Sequence, residues 1–154
     1  MQFDGPVLEL VPDARTRVDP RLASLGPDVL GESFDEQRFL GRLRSEDARR
    51  PIGDALIDQR LVAGVGNYWK SEACFAVGVD PWRAQSEVDD ERALALVRFA
   101  RERMARSAEL GPRARPHAVY GRAGQPCPRC DAPIRSRGQG EGNRVTFWCA
   151  ACQR

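Results

Sequence analysis

Lysine is nearly missing from this chain: Lys70 is the only one among twenty-four basic side chains, the rest being arginine. Histidine is as scarce, with His117 alone. No stretch approaches the roughly eighteen apolar residues that a membrane-crossing helix needs. The opening Met1-Gln-Phe-Asp-Gly-Pro has neither the basic n-region nor the apolar h-region of a secretory signal. These absences exclude a membrane span and point to a cytoplasmic protein, in which cysteines are kept reduced. Excess charge of one sign is also lacking, the net being +2, but it is unevenly spread. From Arg98 onward twelve arginines face four acids, a local balance of +8, which leaves −6 for the remainder. A cationic last third is the footprint expected for a polyanionic partner, although a solvated arginine-rich surface would read the same way.

Five cysteines are present, and four are paired: Cys127-Pro-Arg-Cys130, eighteen residues, then Cys149-Ala-Ala-Cys152. Two cysteines two residues apart can face one ion from a tight turn, and two such turns supply the tetrahedral thiolate shell of structural zinc. With no position left for water, the metal holds the fold and does no chemistry. Disulfides or a redox CxxC would use the same residues, but the paired spacing and the missing signal argue against both. His117 is then an exposed linker residue. The fifth cysteine, Cys74, stands beside Phe75 on an apolar helix face and reads as a small buried hydrophobe.

At 154 residues the chain can hold one ordinary core plus a small metal-dependent module. Residues 1–31, rich in Pro and Gly around Val7-Leu-Glu-Leu-Val11, read as a strand end and an irregular linker. The capping box Ser33-Phe-Asp-Glu36 opens a helix reaching about Ala48, with Phe39, Leu40 and Leu43 inward. Pro51 suits the first turn of a second helix, with Ile52 and Leu56 inward and an end near Leu61. Ser86-Glu-Val-Asp89 opens a third, with Leu94, Val97, Ala100, Met104 and Ala108 on one face and Gly111-Pro112 closing it. After a linker at 111–118, strands are expected over Ala132–Arg137 and Val145–Trp148, with a glycine-rich tip between them. Trp69, Trp82, Trp148 and Phe147 read mainly as packing residues.

Between the second and third helices lies Asp58-Gln-Arg-Leu-Val-Ala-Gly-Val-Gly-Asn67-Tyr-Trp-Lys-Ser-Glu72. Gly64 and Gly66 allow positive φ and close backbone approach, and Asn67 stands where a helix would begin. Backbone N–H groups there suit a phosphate, with the Asn67 amide as an extra donor. A tight helix–helix turn needs glycines too, so the spacing alone leaves both readings open.

Pro51-Ile-Gly-Asp-Ala-Leu-Ile-Asp-Gln-Arg-Leu-Val-Ala-Gly-Val-Gly-Asn67 followed by Ser71-Glu-Ala-Cys-Phe-Ala-Val-Gly-Val-Asp-Pro81 resembles the helix-two-turn-helix element of the formamidopyrimidine-DNA glycosylase and endonuclease VIII family. Val119-Tyr-Gly-Arg-Ala-Gly-Gln-Pro-Cys127 through Asn143-Arg-Val-Thr-Phe-Trp-Cys149-Ala-Ala-Cys-Gln153 resembles that family's zinc finger. Gly53-Asp54, where the other branch typically carries a basic residue, brings the chain nearer the endonuclease VIII branch. The resemblance implies a mainly α fold: a helix-two-turn-helix domain over 32–110, a linker at 111–118 and a β-hairpin four-cysteine zinc finger over 119–154. It implies one structural zinc on Cys127, Cys130, Cys149 and Cys152, with Asn67 and Arg144 gripping phosphates beside a damaged nucleotide. Gly64, Gly66 and Arg122 are supporting DNA contacts, with Tyr120 a further candidate.

Members of the family attack the lesion with an N-terminal proline amine, assisted by a glutamate. Here the chain opens Met1-Gln2-Phe3, so no catalytic residue is assigned and residues 1–31 are expected to be the last strand and linker of a catalytic domain. Lys70 reads as a surface lysine, and Glu72 as a structural or solvated helix residue. The expected function is the DNA-binding half of a base-excision-repair DNA glycosylase and abasic-site lyase for oxidised bases. Such a chain would be nucleoid-associated, bind damaged double-stranded DNA, pair with any separately encoded catalytic half, and be inactive alone. The alternatives are a non-enzymatic damaged-DNA or RNA-binding module and a protein-interaction zinc ribbon.

Overall fold

Aspartates cap three of the helices. The computed structural model describes Pro12, Thr16 and residues 19–154, which form five helices and one two-stranded sheet. Val7–Val11, expected as a strand end, lies outside the described residues. Helix α1 (Pro20–Ala23) is capped by Asp19. Helix α2 (Glu36–Ser45) is capped by Asp35, whose carboxylate accepts from the Arg38 N–H. Ser33 is therefore not the cap, and the helix stops three residues before Ala48. Helix α5 (Asp90–Leu110) is capped by Asp89, which accepts from the Arg92 N–H. The Ser86 box is instead taken up by a single 3-10 turn, Gln85–Glu87. A carboxylate at the N-cap satisfies an orphan N–H and places negative charge at the positive end of the helix.

Helix α3 (Ile52–Ile57) is shorter than its pattern suggested. The chain leaves it at Asp58, and two bonds back to the Asp58 carbonyl, from Leu61 and Val62, make a turn of 58–62. Asp58 anchors this turn by accepting from Arg60 and pairing with Arg50 at 3.0 Å. The preceding segment is laced to the same turn: Gly26 donates to Gln59, Val29 to Ala63, and Ala63 back to Pro27. Val29, in the stretch read as linker, is fully buried.

Helix α4 (Asn67–Val77) has seven consecutive buried residues, Trp69 to Phe75. A helix buried all round is an axis for other elements, not an amphipathic cover. On one side Ala73 and Cys74 join the main core with Phe39, Leu43, Ile52, Leu56, Leu96 and Val97. On the other, Phe75 joins a smaller core of Val119, Cys127, Ile134 and Cys149. Gly78, at φ +79°, closes α4 with the bonds of a Schellman end.

Strands β1 (Arg135–Gln139) and β2 (Arg144–Trp148) pair antiparallel, Arg135 opposite Trp148 and Gln139 opposite Arg144. Strand β1 begins later than Ala132 because residues 132–134 pair with the first knuckle instead. Cys127 donates to the Ala132 carbonyl, Ile134 to Gln125, and Gly124 to Ile134.

Candidate functional site

Two features stand out, a four-sulfur cluster near the C-terminus of α4 and a polar cleft between α3 and the hairpin tip. The Sγ atoms of Cys127, Cys130, Cys149 and Cys152 all lie within 4.8 Å of one another. The pairs 127–152, 130–149 and 130–152 stand at 3.8, 3.5 and 3.3 Å. A tetrahedral ion with bonds of about 2.3 Å would separate its sulfurs by about 3.8 Å, so the four are positioned to bind one zinc ion. The crowded sulfurs differ in their hold on a proton: a hydrogen bond to Cys130, burial and the other sulfurs push the Cys152 thiol up to about 12, while Cys127, against its own burial, is brought down to about 7 by the N–H groups of Arg129 and Cys130. Four thiolates can coexist only around compensating charge. No imidazole joins them; His117 is exposed and faces Tyr68 edge-on at 5.6 Å.

The finger is bolted to α4. Arg129 donates to the Phe75 and Ala76 carbonyls at 2.7 and 3.0 Å, and its guanidinium lies 4.2 Å from the Phe75 ring centroid, closing the negative end of the helix. Gln153 donates to Val79 and accepts from the Cys149 N–H. Glu72, read as structural or solvated, is structural: it is buried, and its carboxylate accepts from the N–H groups of Ala118, Val119 and Tyr120 at 2.9–3.0 Å. Arg122, a candidate DNA contact, spends its donors on Gln125, Ala118 and Pro126, each at 3.0 Å. Tyr120 stacks between Tyr68 and Phe147, and Trp82 packs edge-on against Trp148.

At the other end of α4, Gly64 takes φ +96°, a conformation that favours glycine, and its N–H donates to the Gln59 side chain. Gly66, at φ −105°, is the N-cap and has open space around it. No side chain among the described residues caps α4, so its first-turn N–H groups are without a side-chain acceptor. Asn67 is the first helical residue, and its Nδ2 donates to the Val145 carbonyl at 2.7 Å. The turn asparagine is thereby placed one residue from Arg144. Arg144, 77 positions further along the sequence, lines a cleft of about 550 Å³ between the α3 end and the hairpin tip, and Asn67 stands beside that cleft without lining it.

Charges in this cleft are unequally committed. Arg50 and Arg60 are held by Asp58 at 3.0 and 2.7 Å, and the Arg60 hydrogen bond takes the Asp58 carboxyl well below the usual carboxylate range. The Arg144 side chain makes no ion pair or hydrogen bond within the described residues. Asp54 is raised above the ordinary aspartate value by burial, against the pull of Lys70 and Arg50, and its Oδ1 has no hydrogen-bond partner among the described residues.

Lys70 is not a surface residue. It is fully buried, its Nζ donating to Thr146 Oγ1 and, at 3.2 Å, to Gln139 Oε1. Thr146 also donates to Gln139 Oε1, and Gln139 donates onward to the Pro81 carbonyl. Burial brings the Lys70 amine down to about 8. Sequence reasoning passed over Gln139 and Thr146. The available signal was the lone lysine itself, since a guanidinium with five donors could not be satisfied by two buried acceptors. Cys74 is buried as expected, and burial pushes its thiol up to about 12. No helix among the described residues is long and apolar enough to cross a membrane.

Comparison with known proteins accounts for this arrangement. Residues 25–115 match the formamidopyrimidine-DNA glycosylase H2TH domain, and residues 124–154 match the zinc finger found in FPG and IleRS. The chain is 41% identical to a probable endonuclease 8 2 of Streptomyces coelicolor, covering 96% of this chain and 55% of that protein. It superposes on MutM (Fpg) of Thermus thermophilus with a TM-score of 0.75 at 37% identity, over 90% of this chain and 57% of the other. It superposes on Lactococcus lactis Fpg in complex with abasic-site DNA with a TM-score of 0.74 at 26% identity, over 91% and 56%. The chain thus spans about half the length of the relatives it matches. A helix-two-turn-helix core carrying a four-cysteine finger, in this order and with these matches, makes the chain a member of the formamidopyrimidine-DNA glycosylase and endonuclease 8 family.

Proposed function

We propose that this chain is the DNA-binding part of a DNA glycosylase and abasic-site lyase that removes oxidised bases, and that it grips duplex DNA by the phosphates beside the damaged nucleotide. One observation carries the reading: the Asn67 amide is bonded to the residue after Arg144, which brings an uncapped helix N-terminus next to the strand that carries an unpaired guanidinium. Extruding a damaged base requires firm hold of a bent backbone, and these groups offer backbone N–H donors, one remaining amide hydrogen and a bidentate cation. Gly64 and Gly66 serve by shaping the approach to that helix end. Arg122 acts by holding the loop before the first knuckle. The catalytic step is assigned to no described side chain, and Lys70, the sole lysine, is sealed from any sugar.

Arg144→Ala should weaken binding to an abasic-site duplex at least tenfold and lower the salt slope by about one phosphate contact. Asn67→Ala should weaken it less, since the backbone donors persist. Unchanged affinity and slope in Arg144→Ala would sink the assigned clamp. Salt-independent affinity in the wild type would favour the protein-interaction reading.

A further inference from the structure

We propose that Lys70 is a buried third cation of the phosphate grip, and that DNA binding at Asn67 and Arg144 draws a proton onto it. The inference rests on the clamp reading above.

Lys70 lies one helical turn after Asn67, and its Nζ bonds Thr146, two residues beyond Arg144 on β2. Residues two apart share a strand face, so the ammonium lies against the same face of the hairpin that carries the guanidinium. Its other acceptor, Gln139, pairs with Arg144 across the sheet and lines the same cleft. The amine never reaches solvent, so it cannot touch a phosphate. It acts through the field, and through the hairpin position that its two bonds fix.

The ionisable groups facing it are Cys74 on its own helix, Asp54 on α3 and Arg144 on β2; Arg50 in turn faces Asp54. Burial opposes the ammonium most, Asp54 favours it and Arg144 opposes it, while the Cys74 thiol, still protonated in this pH range, adds no charge. A phosphate on Arg144 removes that opposition and adds an anion a few ångströms further out. The Lys70 amine must then hold its proton to higher pH, and by reciprocity the protonated protein must bind DNA more tightly. A duplex phosphate does not titrate near pH 8 and a guanidinium stays charged, so neither accounts for a proton uptake that is present in the wild type and absent in Lys70→Met.

Titration calorimetry of the full chain with an abasic-site duplex at pH 8.5, in buffers of different ionisation enthalpy, reads the uptake directly. The wild type should take up a fraction of one proton per duplex, and Lys70→Met should take up none. Affinity should fall several-fold more between pH 7 and pH 10 in the wild type than in Lys70→Met. Proton-neutral binding by the wild type, or equal uptake by Lys70→Met, overturns the proposal. If Arg144→Ala still weakens binding in that case, the clamp stands without the linkage; if it does not, the clamp itself has failed. Should Lys70→Met not fold, the Lys70 side-chain NMR titration of the wild type decides: its midpoint must move up on adding DNA, and an unmoved midpoint is a refutation.

Discussion

Little space separates helix and finger at Gly53. A Cβ there would lie 2.8 Å from both polar atoms of the Gln139 amide and from the Pro81 carbonyl, and the backbone oxygen cannot swing away. Gly53→Ala should therefore lower stability by about 1–3 kcal/mol, the range for overpacking a filled site, and urea denaturation would show it as a lower midpoint at constant slope. An unchanged midpoint would mean the hairpin can slide outward. Lys70 makes a second case at this scale. Its folded amine near 8 lies below its ordinary 10.5, so between those values the unfolded chain holds a proton that the fold does not. Stability on its account is least below pH 8 and rises from there to about 10.5. Relative to Lys70→Met, the wild type should gain on the order of 2 kcal/mol between pH 7 and pH 10. Equal gains would show that the ammonium is not desolvated.

Helix boundaries show which local signals win. Ser86 and Asp89 both suit an N-cap, but the side chain of Asp89 makes the cap bond at 2.8 Å, while the Ser86 N–H is tied back to the Ala48 carbonyl. Asp89→Ala should cost about 1 kcal/mol and Ser86→Ala almost nothing, measured by thermal melts. A larger loss at Ser86 would restore the capping-box reading. The apolar spacings of α2, α3 and α5 and the paired cysteines were legible because each is a local pattern. Less legible was whatever depends on a partner far along the chain. The full burial of α4 hides Lys70 and Glu72, whose acceptors and donors lie 46–76 residues away, and no local pattern marks a charged helix residue for a distant hairpin. The late start of β1 has the same origin, since residues 132–134 were already bonded to the first knuckle. The glycine-rich turn was legible as a helix start, while the bond that brings Asn67 to Arg144 was not.

At the scale of the molecule, α4 is a shaft shared by two cores, and the finger grips it at three levels: Asn67 and Lys70 at one end, Glu72 midway, and Arg129 and Gln153 at the other. The main core is large enough to stand alone. The smaller one has five buried residues, two of them cysteines, and a lone two-stranded hairpin is marginal in water. Binding one zinc ion therefore contributes folding free energy to the finger and almost none to the helices. Chelation at neutral pH should release hydrogen-exchange protection across 135–148 while α5 amides stay protected, and Cys127→Ser should do the same without a chelator. Loss of the hairpin removes both the Val145 carbonyl that Asn67 holds and Arg144 itself, so affinity for an abasic-site duplex should fall at least tenfold and return when zinc is restored. If protection across 135–148 survived full removal of the metal, the contacts with α4 alone would suffice to hold the finger, and zinc would have no part in placing Arg144.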